Sequence, residues 1–125
     1  MQIIFDTSAL IRFFSDDNPR LADKVEKLIE QQQNIQVPDV VFPELEYVLT
    51  KQYKSPKAEV LKAYQFLQNQ RNIKKSPYID GAIEIFENTN LDMADCIIAA
   101  QSMKGKLASF DEDMLKIKGV NAFWK

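Results

Sequence analysis

Short apolar runs alternate along this chain with longer stretches whose apolar residues recur every three or four positions. Residues 2–5 end at Asp6 and suit a buried strand that begins almost at the first residue. Thr7 and Ser8 stand where they would cap a short helix carrying Leu10, Ile11, Phe13 and Phe14. Asn18-Pro19 is a second helix start, because proline at the first helical position gives up an N–H that has no acceptor anyway. Leu21, Val25, Leu28 and Ile29 then share one face, and the glutamine tract at 31–34 ends the helix. Residues 35–37 form a brief strand. Asp39 is expected to cap a helix running to about residue 52, which tolerates Pro43 only within its first turn. Ser55-Pro56 and Ser76-Pro77 repeat the start signal, for helices carrying Val60, Leu61, Tyr64 and Leu67 and then Ile79, Ala82, Ile83 and Phe86. Asp92 opens a strongly apolar helix that Gly105 stops. Residues 106–110 read as a second central strand ending at Asp111, and residues 120–124 as a last strand after Gly119.

Strands alternating with helices predict an α/β fold built on a parallel sheet with helices on both faces. At 125 residues, with no linker or repeat, a single domain over residues 1–125 is expected. Functional groups in such sheets gather at the C-terminal ends of strands, where Asp6 and Asp111 stand.

Composition narrows the chemistry. The chain has no histidine, which removes Ser-His-Asp and Cys-His triads, imidazole-assisted RNA cleavage and imidazole metal sites. Its single cysteine, Cys96, has no partner for a disulfide or a zinc site. Three widely separated glycines exclude dinucleotide and phosphate loops, and no apolar run reaches the roughly 20 residues of a membrane span. A cytoplasmic protein is expected. Sixteen basic against eighteen acidic residues argue against broad electrostatic binding of nucleic acid, though not against a local site. Chemistry therefore falls to carboxylates.

Asp6 follows an apolar strand, and its plain reading is a helix cap. Glu44 has Val40, Val41, Tyr47 and Val48 as its helical neighbours, a stripe that should face the interior or a cleft; Glu46 should be solvated. Asp92 and Asp95 are one helical turn apart, which suits a cap and its partner, but Asp95 opens the most buried-looking helix. Asp111 and Asp113 also suit a turn and a cap. If Asp6, Glu44, Asp95 and Asp111 converge, their repulsion raises pKa values or demands a cation, and an all-oxygen donor set selects Mg²⁺ or Mn²⁺. The fitting chemistry is metal-dependent phosphodiester hydrolysis.

The segments IIFDTSALI, VVFPELEYVL, DCIIAAQS and LASFDEDM, in that order and spacing, resemble the PIN-domain ribonucleases, with the nearest likeness to the VapC-type toxins of toxin–antitoxin pairs. The resemblance covers essentially the whole chain. It implies a three-layer α/β/α fold with a central, mainly parallel sheet, and a Mg²⁺- or Mn²⁺-dependent endoribonuclease acting on single-stranded RNA. It also implies a small antitoxin partner and a homodimer. Asp6, Glu44 and Asp95 match the three core acids and Asp111 the fourth. Thr7 or Ser8 matches the hydroxyl residue after the first acid, and Asp92 and Asp113 flank the motif positions as auxiliary groups. Ser109 stands where threonine is common. The alternative is a catalytically silent PIN-like module that binds RNA or protein. A receiver domain would need an acidic pair after the first strand, and an aspartate-nucleophile phosphatase a second aspartate at position 8, where this chain has serine. Basic candidates for RNA contact are Arg12, Lys51, Lys54, Lys74, Lys75, Lys104 and Lys106; Phe13, Phe14, Tyr47 and Tyr53 are aromatics suited to base stacking or to packing.

Overall fold

Three strands of two residues each carry the sheet in the computed structural model, which describes residues 1–124. Strand β1 (Ile3–Ile4) pairs in parallel with β2 (Ile35–Gln36), and β2 pairs in parallel with β3 (Ile73–Lys74), in the order β1-β2-β3. The ladder runs one residue further, through Phe5 N–H to the Gln36 carbonyl at 3.0 Å and Val37 N–H to the Lys74 carbonyl at 2.9 Å. Because side chains alternate across a sheet, Phe5, Ile35, Val37 and Ile73 share the buried face, whereas Ile4 is 56% exposed. The α/β class and the parallel sheet follow the hydrophobic pattern, and seven helices complete the fold among the described residues.

The chain divides into two compact units, the first spanning Met1–Ser76 and the second beginning at Pro77. In the first, helices α1 (Thr7–Phe14) and α2 (Pro19–Gln31) connect β1 to β2, and α3 (Val41–Lys51) and α4 (Lys57–Asn69) connect β2 to β3. Parallel strands need long crossovers of this kind. The Asn18 side chain caps α2 by accepting from Leu21 N–H at 3.1 Å, as the Asn-Pro pair predicts. Asp39 does not cap α3: Val40 occupies that position and makes no side-chain cap bond. Strand β3 was not legible in advance, since a single apolar residue among Arg71, Lys74 and Lys75 shows no alternation. Asn72 fixes its position by donating through Nδ2 to the Ile29 and Gln32 carbonyls, at 2.7 and 2.6 Å, where α2 ends.

Tyr64 ties α4 to α3. Its side chain is fully buried, its ring packs 5.6 Å from that of Phe42, and its hydroxyl donates to the Phe42 carbonyl at 2.5 Å. Tyr64→Phe keeps the ring and removes the hydroxyl bond that ties α4 to α3, so urea unfolding should show a loss of about 1 kcal/mol. An unchanged midpoint would mean that the hydroxyl bond adds nothing to the ring packing.

In the second unit α5 (Ile79–Asn88) packs against α6 (Met93–Ser102), and the short α7 (Glu112–Leu115) follows. The strands expected at 106–110 and 120–124 reduce to one isolated parallel bridge between Leu107 and Ala122. Its bonds are Leu107 N–H to the Asn121 carbonyl at 2.7 Å and Phe123 N–H to the Leu107 carbonyl at 2.8 Å. A buried leucine between exposed Lys106 and Ala108 is too short a run for more. Gly105 follows the α6 C-cap, Met103, by two residues and closes a turn to the Ser102 carbonyl; the glycine with a left-handed backbone is Gly119, at φ 98°.

Candidate functional site

Asp6 leaves the sheet after Phe5 and becomes the N-cap of α1, in place of Thr7 or Ser8. Its Oδ1 accepts from Ala9 N–H at 3.0 Å and from Ser8 Oγ at 2.8 Å. Those bonds, the serine hydroxyl first and then the amide, hold its carboxyl below the ordinary aspartate range, so it stays ionised while remaining exposed. Thr7, the next residue, donates through Oγ1 to Glu44 Oε1 at 2.6 Å and so joins the start of α1 to α3.

Glu44 is exposed rather than interior. The buried stripe of α3 is Val41, Phe42, Leu45 and Leu49, and the neighbours that suggested burial, Val40 and Tyr47, are themselves 60% and 63% exposed. The cleft half of the expectation holds: Glu44 lines a groove of about 590 Å³ together with Thr7, Ser8, Ile11, Pro43 and Tyr47. Glu46, expected in solvent, is half-buried. Of the cationic candidates, Arg12 pairs with Asp17 at 3.5 Å and Lys74 donates to the Arg71 carbonyl at 3.0 Å. Phe13 and Phe14 pack against Phe66, with centroids 5.0 and 5.8 Å away, which is the packing alternative for those rings.

In the second unit Asp92 caps α6, accepting from Asp95 N–H at 2.9 Å. Asp95 itself is half-buried. Its carboxyl is pushed above the ordinary range, first by burial and then by the negative charges of Asp92 and Asp111. Asp111 caps α7 through Oδ1, which accepts from Asp113 N–H at 2.9 Å and Met114 N–H at 3.3 Å, and Ser109 Oγ accepts from Asp111 N–H at 3.0 Å. Four residues flagged from the sequence, Asp92, Asp95, Ser109 and Asp111, thus form one connected acidic corner, with Asp113 exposed at its edge. Asp6, Thr7, Ser8 and Glu44 form another.

A PIN domain profile matches residues 3–120. The chain belongs to the PIN-domain family. That match runs through both units and includes every candidate acid. Among curated proteins, none matches the chain. PIN domains are generally nucleases and typically bind divalent metals.

The donors of this PIN domain suit a hard cation in kind: they are carboxylates with neighbouring hydroxyls, with no imidazole. Burial first, and then the charges of Asp92 and Asp111, raise the Asp95 carboxyl, and a nearby cation would offset the second of these causes. Among the described residues, no group of three or more acid or cysteine side chains is placed to hold a metal ion. No helix among the described residues is long and apolar enough to cross a membrane.

Sequence reasoning missed an aromatic group beside the second corner. Phe110, Phe123 and Trp124 are exposed, and the rings of Phe110 and Trp124 stack with centroids 4.8 Å apart. The available signal was an aromatic directly before Asp111 and a Phe-Trp pair at 123–124. Reading both segments as strands left the exposure of those rings unaddressed.

Proposed function

We propose that this PIN domain is a Mg²⁺- or Mn²⁺-dependent endoribonuclease of single-stranded RNA, with Asp6, Glu44, Asp95 and Asp111 supplying carboxylate oxygens to the metal. The observation that carries the reading is the PIN-domain match over residues 3–120, which takes in all four acids; the Asp95 carboxyl, raised first by burial and then by the charges of Asp92 and Asp111, adds to it. A divalent ion bound there supplies acidification of water and neutralisation of phosphoryl charge.

The chain's own residues do the rest. Ser8 Oγ and Ala9 N–H hold the Asp6 carboxylate ionised and oriented, and Thr7 Oγ1 fixes Glu44 through Oε1. Asp92, by accepting from Asp95 N–H, sets the first turn of α6 from which Asp95 projects. Ser109 and the two amides of α7 fix Asp111 and its neighbouring backbone. With no histidine to assist attack by a 2′-hydroxyl, water is the nucleophile and the products carry 5′-phosphate and 3′-hydroxyl ends.

The ordered likeness to VapC-type proteins supports a finer reading: a cytoplasmic toxin of a toxin–antitoxin pair, working as one domain and a homodimer, and neutralised by a small antitoxin.

The test is incubation of the purified chain with unstructured RNA, with and without Mg²⁺ or Mn²⁺, followed by analysis of the new ends. Cleavage that stops on chelation and leaves 5′-phosphates is the expected result. A 2′,3′-cyclic phosphate would overturn the mechanism, and metal binding without cleavage of any RNA would favour the silent RNA- or protein-binding module.

A further inference from the structure

We propose that Phe110 and Trp124 form a stacking platform for an unpaired nucleobase beside Asp111, an inference that rests on the ribonuclease reading. The two rings are nearly parallel, 5° apart, while Phe123 meets Trp124 edge-on at 87° and 5.5 Å. Phe110 is 85% exposed, Phe123 59% and Trp124 52%. Single exposed apolar residues are ordinary, but three contiguous large rings left in water mark a binding surface.

The platform is held in place from both sides. Phe110 lies in the turn closed by Asp111 N–H on Ser109 Oγ, and Asp111 is itself anchored as the cap of α7. Trp124 follows the bridge whose last bond runs from Phe123 N–H to the Leu107 carbonyl. These bonds fix the backbone that carries each ring, and the two rings are stacked on one another.

The geometry selects the occupant. A parallel pair with one ring almost fully exposed presents a flat π face, which suits another planar π system, and every nucleobase has one. Asp111, Glu112 and Asp113 are exposed in the segment that directly follows Phe110. Burying this face against a second copy across a two-fold axis would bring each copy's three carboxylates toward the other's. A nucleobase is itself neutral, and the single negative charge of its phosphate is smaller than the three carboxylates a second copy would bring. Lys106, exposed and one residue before Leu107, puts a cation at the start of the same bridge.

Trp124 is the chain's single tryptophan, so its fluorescence reports on the platform alone. Full-length protein, with Ca²⁺ in place of Mg²⁺ to limit turnover, is titrated with a short oligouridylate and with an oligomer of equal length and charge that lacks bases. Saturable quenching by the oligouridylate, little by the abasic oligomer, and a dissociation constant raised about tenfold in Phe110→Leu and restored in Phe110→Tyr is the expected result. Equal quenching by both oligomers, unchanged affinity in Phe110→Leu with a wild-type circular dichroism spectrum, or a signal that follows protein concentration and not RNA would overturn it. Cleavage by the Phe110→Leu variant in Mg²⁺ separates the two ideas. Wild-type cleavage with wild-type affinity rejects the platform and leaves the nuclease, whereas base-dependent quenching with no cleavage in any divalent metal supports the platform and rejects the nuclease.

Discussion

Asp95→Asn should melt at a higher temperature than the wild-type chain near neutral pH while losing at least about 100-fold in RNA cleavage. The activity figure is a floor, since even groups that only support a metal ligand cost 10–100-fold when removed. The stability gain follows from the direction of the shift. Burial and the charges of Asp92 and Asp111 hold the Asp95 carboxyl above its ordinary value of 3.8, so ionising it costs the folded chain more than the unfolded one. As pH rises through 3.8 toward the raised value the unfolded chain gives up its proton first, and stability falls. Asparagine removes that loss. Thermal melts of both proteins should therefore coincide at a pH below the carboxylate range and separate near neutrality, with the variant higher. Near-normal cleavage by purified Asp95→Asn would remove that residue from the site, and a lower melting temperature at neutral pH would mean that its ionised form is paired.

Asp6 separates a structural duty from a chemical one. Asparagine serves as an N-cap about as well as aspartate, whereas alanine costs about 1 kcal/mol. Asp6→Asn should keep the stability of α1 and lose cleavage by at least about 100-fold, and Asp6→Ala should lose both. The acid side of the pH profile checks the same group. The serine and amide bonds that lower its carboxyl stabilise the fold above 3.8, and that contribution disappears as pH falls through the lowered value. Denaturant melts with a cleavage assay on each variant decide the matter: if Asp6→Ala cleaves RNA like the wild type, Asp6 is a cap and nothing more.

The same duality explains how much could be read in advance. Helix starts were legible where a side chain caps a helix or a proline begins one, as at Asn18-Pro19 and Asp92, because those signals act over three or four residues. The sheet was partly legible. Ile3–Ile4 and Ile35–Gln36 sit in apolar runs, but Ile73–Lys74 lies among cations, and a two-residue strand holds a single period of the alternation, too little to recognise. The segments at 106–110 and 120–124 looked like strands for the opposite reason. Their short apolar runs were read as strands, yet they form a single bridge with exposed aromatics beside it. Glu44 was placed in a cleft by the wrong stripe, since the interior of α3 is the Phe42 and Leu45 side and its Val40 and Tyr47 side is open. Of the candidate acids the residue types were legible, but their environments were not, because the bond from Thr7 to Glu44 and the influence of Asp111 on Asp95 join residues far apart in sequence.

Three of the flagged aspartates, Asp6, Asp92 and Asp111, are helix caps, and this has an evolutionary consequence. Aspartate and asparagine codons differ by one nucleotide, and at a cap the exchange costs the fold almost nothing. If these carboxylates carry the chemistry, a lineage can abolish catalysis in a single mutational step and still produce a folded chain that engages the same RNA. Such a copy competes with its active parent for substrate, so a gene duplication followed by one base change yields a natural antagonist.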